Sequence, residues 1–141
     1  MKALCGIAIV SCFFLGSPLN AAVTYDPADG PCVTTQKRIQ SLHDTVKIWF
    51  LQSSRYPTTQ EGLKVLLKPT QLMGPMREKL PKDAWGNELI YEFKRVDNKP
   101  KVVIVSKGPD AKLKTEDDIS KTPKTIEACL RALESKSKST N

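Results

Sequence analysis

The chain carries a single histidine, His43, in 141 residues. A transition-metal site draws its ligands from several His and Cys side chains, so that chemistry is excluded on ligand count. The serines Ser53, Ser54 and Ser106 have no second histidine to call on as a base, which a nucleophilic hydroxyl requires. Aromatic residues make up 6% of the chain and do not alternate with the lysines, as a base-stacking platform would need. The formal charge of +7 is spread over Lys94, Lys101, Lys107, Lys112, Lys114, Lys136 and Lys138 among others. A basic surface can serve nucleic acid, an anionic membrane face or an acidic protein. Lysines this dispersed read first as solvated charge, and nucleic-acid binding is set aside. Long apolar runs are also missing: the longest stretch, Ala3 to Leu15, falls short of the roughly 20 residues of a spanning helix.

That stretch sits in a recognisable order. Lys2 is a short basic start, Ala3 to Leu15 an apolar core, and Gly16-Ser17-Pro18 leads to the small-residue end Leu19-Asn20-Ala21-Ala22. This is the order of a secretory signal peptide, with cleavage expected after Ala21. Two weaker readings stay open: an uncleaved membrane anchor, and a lipid-anchored Cys12, because Ile9-Val10-Ser11-Cys12 loosely resembles a lipobox. Cleavage predicts a periplasmic or secreted protein with no stable membrane span, one domain over residues 22–135, and a disordered tail over 136–141. About 120 residues are enough for one core and not for two. Cys5 and Cys12 would leave with the signal, so Cys32 and Cys129 remain as an even pair at opposite ends of the domain. In an exported chain such a pair is normally bridged.

The chain is organised around residues 39–63. Ile39, Leu42, Val46, Trp49 and Phe50 recur at steps of three and four, which places them on one face of a helix. Thr34 or Thr35 is the expected N-cap. Pro57 forces Tyr56 out of helical geometry, so the helix should stop near Ser54. Thr58 and Glu61, three apart, form a capping box that starts a second helix from Thr59 to about Leu67. Glu88 to Lys94 alternates as a strand with Leu89, Tyr91 and Phe93 on one face. Asp97-Asn98-Lys99-Pro100 is a turn, and Lys101 to Ser106 a second strand whose Val102 to Val105 run predicts burial on both faces. Trp85 reads as a plug under the sheet. Pro123, Ile126, Cys129, Leu130 and Leu133 predict an amphipathic C-terminal helix from about Pro123 to Ser135.

Three ordered segments carry a resemblance: Arg55-Tyr56-Pro57-Thr58-Thr59-Gln60-Glu61-Gly62-Leu63, then Leu80-Pro81-Lys82-Asp83-Ala84-Trp85-Gly86-Asn87, then Ser106-Lys107-Gly108-Pro109-Asp110 with Asp117-Asp118-Ile119. Across roughly residues 36 to 119 the chain resembles the major pseudopilins of bacterial type II secretion. The resemblance implies an α+β fold, with a long N-terminal helix laid across a small antiparallel sheet and a calcium-binding loop after the last strand. It also implies a role in protein transport. The C-terminal helix is extra to that pattern. The N-terminus departs as well: no glutamate precedes Glu61, and Pro18, Pro27, Gly30 and Pro31 interrupt any helix running from the apolar segment to Ile39. The sequence thus reads as such a domain without its membrane stem.

By the same resemblance Asp110, Asp117 and Asp118 fall on the family's metal-ligating acids, with the Ser106 hydroxyl nearby, and calcium favours hard oxygens of this kind. Ala111 stands where the family usually has glycine, and Lys112 and Lys114 bring cations close, so three acids balancing three lysines is the competing reading. Trp49, Phe50 and Leu51 span more than one helix face and form a candidate partner-binding patch; cover by the C-terminal helix is the alternative. Glu61 has work in the cap and Asp83 in its turn, so neither reads as a catalytic acid, and His43 beside Asp44 reads as an exposed helix residue. The expected function is a non-catalytic exported interaction module that binds a pseudopilin or another secretion component. The alternative is a free periplasmic or secreted binding protein that reuses the scaffold.

Overall fold

The computed structural model describes residues 29–70, 73–122 and 124–138; the expected signal peptide and the candidate lipobox at Cys12 lie outside the described residues. The first helix, α1, runs Pro31–Ser53. It starts earlier than the threonine caps predicted. Gly30 is the N-cap and Pro31 occupies the first turn, where its missing N–H costs nothing and its fixed φ is already helical. Thr34 and Thr35 are instead buried inside the helix, and the Thr35 hydroxyl accepts a hydrogen bond from the Ala84 N–H at 3.0 Å. At the far end Ser54 takes a left-handed conformation and its N–H returns to the Phe50 carbonyl at 2.8 Å, which closes the last turn as expected.

The capping box is present: Thr58 N–H donates to Glu61 Oε2 at 2.8 Å and Glu61 N–H to Thr58 Oγ1 at 3.2 Å. The box opens a 3₁₀ helix, Gly62–Leu67, where an α-helix was expected. The tighter winding brings Leu63 and Leu66, three apart, onto the same side, and both are buried.

Two strands, β1 (Ile90–Val96) and β2 (Lys99–Val105), pair antiparallel from Ile90 opposite Val105 to Val96 opposite Lys99. Asp97 and Asn98 join them with φ of 49° and 59°, the doubly left-handed turn that matches strand twist. β1 sits two residues beyond the predicted Glu88 to Lys94, and β2 starts two residues and ends one residue before the predicted Lys101 to Ser106. The inner face pairs Tyr91 with Ile104 and Phe93 with Val102. Of the Val102 to Val105 run only Ile104 is fully buried, because the outer face of this ribbon is open. A two-stranded ribbon is marginal alone. Here the Thr59 side chain occupies the edge of β1: its hydroxyl donates to the Phe93 carbonyl at 3.1 Å and accepts from the Phe93 N–H at 3.0 Å.

The core lies between α1, the 3₁₀ helix and the inner face of the hairpin, with Ile39, Leu42, Leu66, Ile104 and Ile119 at its centre. Trp85 is half-buried at its edge rather than a sealed plug. The second helix, α2 (Lys124–Lys138), reaches past Ser135 and three residues into the expected tail. It docks on the first turn of α1 through a Cys32–Cys129 disulfide whose Cα atoms are 6.1 Å apart, as the cysteine pairing predicted. Ile126 and Leu133 pack on the core while Leu130 is exposed. Among the described residues no helix is long and apolar enough to cross a membrane.

Candidate functional site

The acidic loop is closed at its neck. Past β2, Ser106 bridges Ile119 through two backbone hydrogen bonds of 2.9 and 3.1 Å, and both residues are fully buried. A 3₁₀ turn, Gly108–Asp110, comes directly after the neck. Gly108 has φ +63°, and a Cβ there would lie 2.4 Å from the Asp117 carbonyl oxygen, so only glycine lets the loop's two limbs approach. Ala111 and Lys114 also hold left-handed φ, 57° and 66°. Ala111 therefore takes the left-handed geometry that the family's usual glycine would adopt freely, at the roughly 1–2 kcal/mol that a left-handed L-residue costs.

Beneath the neck sits a polar network that the sequence did not disclose. Asp83, 2% exposed, accepts from the N–H groups of Trp85 (3.0 Å) and Asn87 (2.7 Å) with one oxygen. Its other oxygen accepts from Asn87 Nδ2 (3.1 Å) and the Ser106 hydroxyl (2.7 Å). Ser106 Oγ in turn accepts the Gly108 N–H at 3.0 Å. Asn87 Nδ2 also donates to the Gly108 carbonyl at 3.3 Å. Arg38 on α1 clamps the carbonyls of Lys82 and Asp83 at 2.9 and 3.0 Å. The one hint in the sequence was a buriable carboxylate in a tryptophan turn, which needs several donors when desolvated. Ser106 accordingly turns its hydroxyl inward, away from the ligand role expected of it.

The three acids are distributed around the loop. Asp117, 5% exposed, accepts from Thr115 Oγ1 at 2.6 Å and from the Asp110 N–H at 3.2 Å. Asp110 Oδ1 accepts the Lys112 N–H at 2.8 Å. Asp118 Oδ2 accepts the Lys114 N–H at 2.7 Å, while its Oδ1 is buried with no hydrogen-bond partner among the described residues. Burial first, and then the charges of Asp117 and Asp110, push the Asp118 carboxyl above the usual carboxylate range. Among the described residues no three acid, histidine or cysteine side chains converge into a ready metal cluster. A hard cation is still compatible with the donor set, because an orphaned buried carboxylate oxygen is the kind of acceptor that an ion would satisfy.

The candidate partner patch divides. Trp49 is 6% exposed beneath the Arg55 guanidinium, 5.0 Å from its ring, and Arg55 forks onto Glu61 with two bonds of 2.7 Å. Phe50 stacks on Tyr56 at 4.4 Å, and Tyr56 on Phe93 at 5.6 Å. Only Leu51 of the three is outside, at 77% exposure, and its apolar neighbour on the helix is Ile48, which helical periodicity did not single out. The aromatic stack and the Arg55–Glu61 clamp, rather than the C-terminal helix, cover the second face.

The fold has a counterpart among solved structures. The major pseudopilin from the type 2 secretion system of enterohaemorrhagic Escherichia coli superposes with a TM-score of 0.50 at 32% identity, over 64% of this chain and 84% of that one. Type II secretion system core protein G of Pectobacterium carotovorum subsp. carotovorum is 37% identical over 89 residues, which are 57% of this chain and 56% of the relative. The corresponding protein of Dickeya chrysanthemi is 36% identical over 89 residues, with 57% of each covered. The matches thus span little more than half the length of these curated relatives. The family model described as type II secretion system, protein G, matches residues 22–136. Its span takes in α1, the hairpin, the acidic loop and the disulfide, and the chain belongs to that family.

Proposed function

We propose that this protein is a non-catalytic, exported interaction module of type II secretion, acting in the periplasm or beyond it by binding a pseudopilin or another component of the apparatus. The observation that carries this reading is Leu51, exposed beside Ile48 on a helix whose aromatic neighbours are locked inside. An apolar pair held out on a rigid helix costs solubility unless something covers it. The test is calorimetric titration with the purified soluble domain of the major pseudopilin from the same bacterium. Binding that is lost in Leu51→Glu at unchanged Tm supports the reading. Absent binding, or binding indifferent to that substitution, favours a free binding protein on a reused scaffold.

The acidic loop extends the proposal: Asp110, Asp117 and Asp118 hold calcium, the orphaned Asp118 Oδ1 being the feature that favours it. The cation would supply charge neutralisation, and the carboxylates would then pin the loop instead of repelling one another. At a hundred times its dissociation constant such a ligand adds roughly 2.7 kcal/mol to the folded state. The expected result is a Tm several degrees higher in calcium than in chelator, with the difference abolished in Asp118→Asn. Equal melting in both would show that three acids balance three lysines and nothing more.

A further inference from the structure

One edge of β1 is covered by no strand, and the hairpin's own bonds fix which groups face it. Opposed residues in an antiparallel pair alternate: one pair exchanges both backbone bonds, and the next turns its N–H and carbonyl groups outward. Phe93 spends its N–H and its carbonyl on the Thr59 hydroxyl, so it belongs to the outward set. Pro100, opposite Arg95, has no N–H to give across the ribbon and falls in the same phase. Ser106, two residues beyond Ile104, exchanges both its bonds with Ile119 instead of with β1. Tyr91, two residues before Phe93 and opposite Ile104, therefore turns its N–H and carbonyl to the free edge. Neither group has a hydrogen-bond partner among the described residues, although Tyr91 is only 7% exposed. Its hydroxyl is satisfied, donating to the Pro57 carbonyl at 2.8 Å. Buried backbone groups are almost always paired, so this edge lacks a partner for one donor and one acceptor.

The gap has built flanks. At one end Thr59 closes the edge at Phe93. At the other the chain folds back on itself, with Lys82 bridging Glu88 and the Asp83 N–H donating to the Asn87 carbonyl at 2.9 Å. Asn87 shares the phase of Tyr91, which puts that limb on the same edge. Between the flanks lies a cavity of about 300 Å³, lined by Thr59 and Pro81 from the two ends, by Leu89 and Tyr91 along the edge, and by Leu63 and Leu80. Leu63 is 5% exposed, and Leu80 and Leu89 are half-buried against the core, so the walls are apolar. The charges around it cancel, Lys64 and Lys82 against Glu61 and Glu88, so nothing there selects an ion. We propose that this slot takes an extended peptide segment of another polypeptide, one residue of which exchanges both backbone bonds with Tyr91 and packs an apolar side chain against Leu63 and Leu80. An extended backbone presents an N–H and a carbonyl together on one side of a single residue, the pair that strand addition requires. Opposed side chains share a face, and Tyr91 turns to the core as Leu63 does, so the incoming side chain meets the apolar wall. Neither Ile48 nor Leu51 borders the slot, so this site stands or falls apart from that pair.

Binding is read from the amide resonances of the full, oxidised, isotope-labelled chain during titration with blocked pentapeptides, acetyl-Ser-Thr-X-Thr-Ser-amide, where X is valine, leucine, isoleucine or phenylalanine. The expected result is a saturable shift at Tyr91, Leu89 and Leu63 with at least one X, and Tyr91 amide exchange slowed about tenfold at saturation. N-methylation of residue X removes the donor that meets the Tyr91 carbonyl and should weaken binding about tenfold. Leu80→Ser opens the apolar wall and should weaken it severalfold, with unmoved amides from Lys94 to Val102 showing that the hairpin is intact. Sodium chloride should leave the affinity unchanged, as a neutral backbone contact requires. No saturable shift with any X, equal binding of the N-methylated peptide, or a Tyr91 amide whose exchange the peptide leaves alone overturns the proposal and gives that edge to water.

Discussion

Gly108 is the residue at which the acidic loop is most constrained. Its left-handed φ and the 2.4 Å approach of the Asp117 carbonyl act together, so Gly108→Ala should cost more than about 2 kcal/mol, measured as a loss in urea-unfolding free energy. Glu61 is the residue that links stability to acid. The hydrogen bonds from Arg55, and then from the Thr58 N–H, hold its carboxyl down to about 2 from an ordinary 4.5. A depressed carboxylate binds fewer protons in the folded than in the unfolded state, so its contribution is complete above pH 4.5 and is lost as pH falls towards 2. Glu61→Gln should therefore flatten the acid limb of a Tm-against-pH curve between those values. An acid limb as steep as that of the parent chain would place the titration elsewhere.

At the scale of elements, the hairpin depends on a side chain that stands in for a strand. Thr59→Val keeps the shape and removes both bonds to Phe93, leaving its N–H and carbonyl to water. The expected effect is a loss of about 1 kcal/mol with faster amide exchange at Phe93, since the edge is solvent-accessible and not sealed. This contact marks where legibility in the sequence ended. The helix face of Ile39 to Trp49, the stop at Ser54 and the Thr58–Glu61 box were all readable because each is local, fixed by residues three or four apart. The early start at Pro31 was missed because a glycine N-cap offers no side-chain signal. The 3₁₀ winding after Glu61 and the Asp83–Ser106–Gly108 network were not readable. The network joins Asp83 to Ser106 across 23 positions of sequence, and no periodicity records that pairing. In the candidate site the three acids could be named together only through the family resemblance, and the orphaned oxygen of Asp118 not at all, because burial is a property of the folded loop.

At the scale of the whole molecule, the disulfide closes a ring with a sequence separation of 97 residues around the core. In the chain-entropy view a ring of about that size contributes roughly 4 to 5 kcal/mol by restricting the unfolded chain. Cys129→Ser, or reduction with the core intact, should lower the unfolding free energy by an amount of that order. It should also release α2 first, because that helix sends few apolar side chains into the core: Ile126 and Leu133, with Leu130 exposed. Trypsin cutting of α2 in the reduced chain, ahead of α1, is the check. The same bond has a mechanical meaning. Tension applied to the chain before Cys32 and after Cys129 passes through the sulfur bridge and bypasses everything between them. Pulled from its two sides, the oxidised domain behaves as an inextensible link, and α1, the hairpin and the acidic loop ride on it without bearing load.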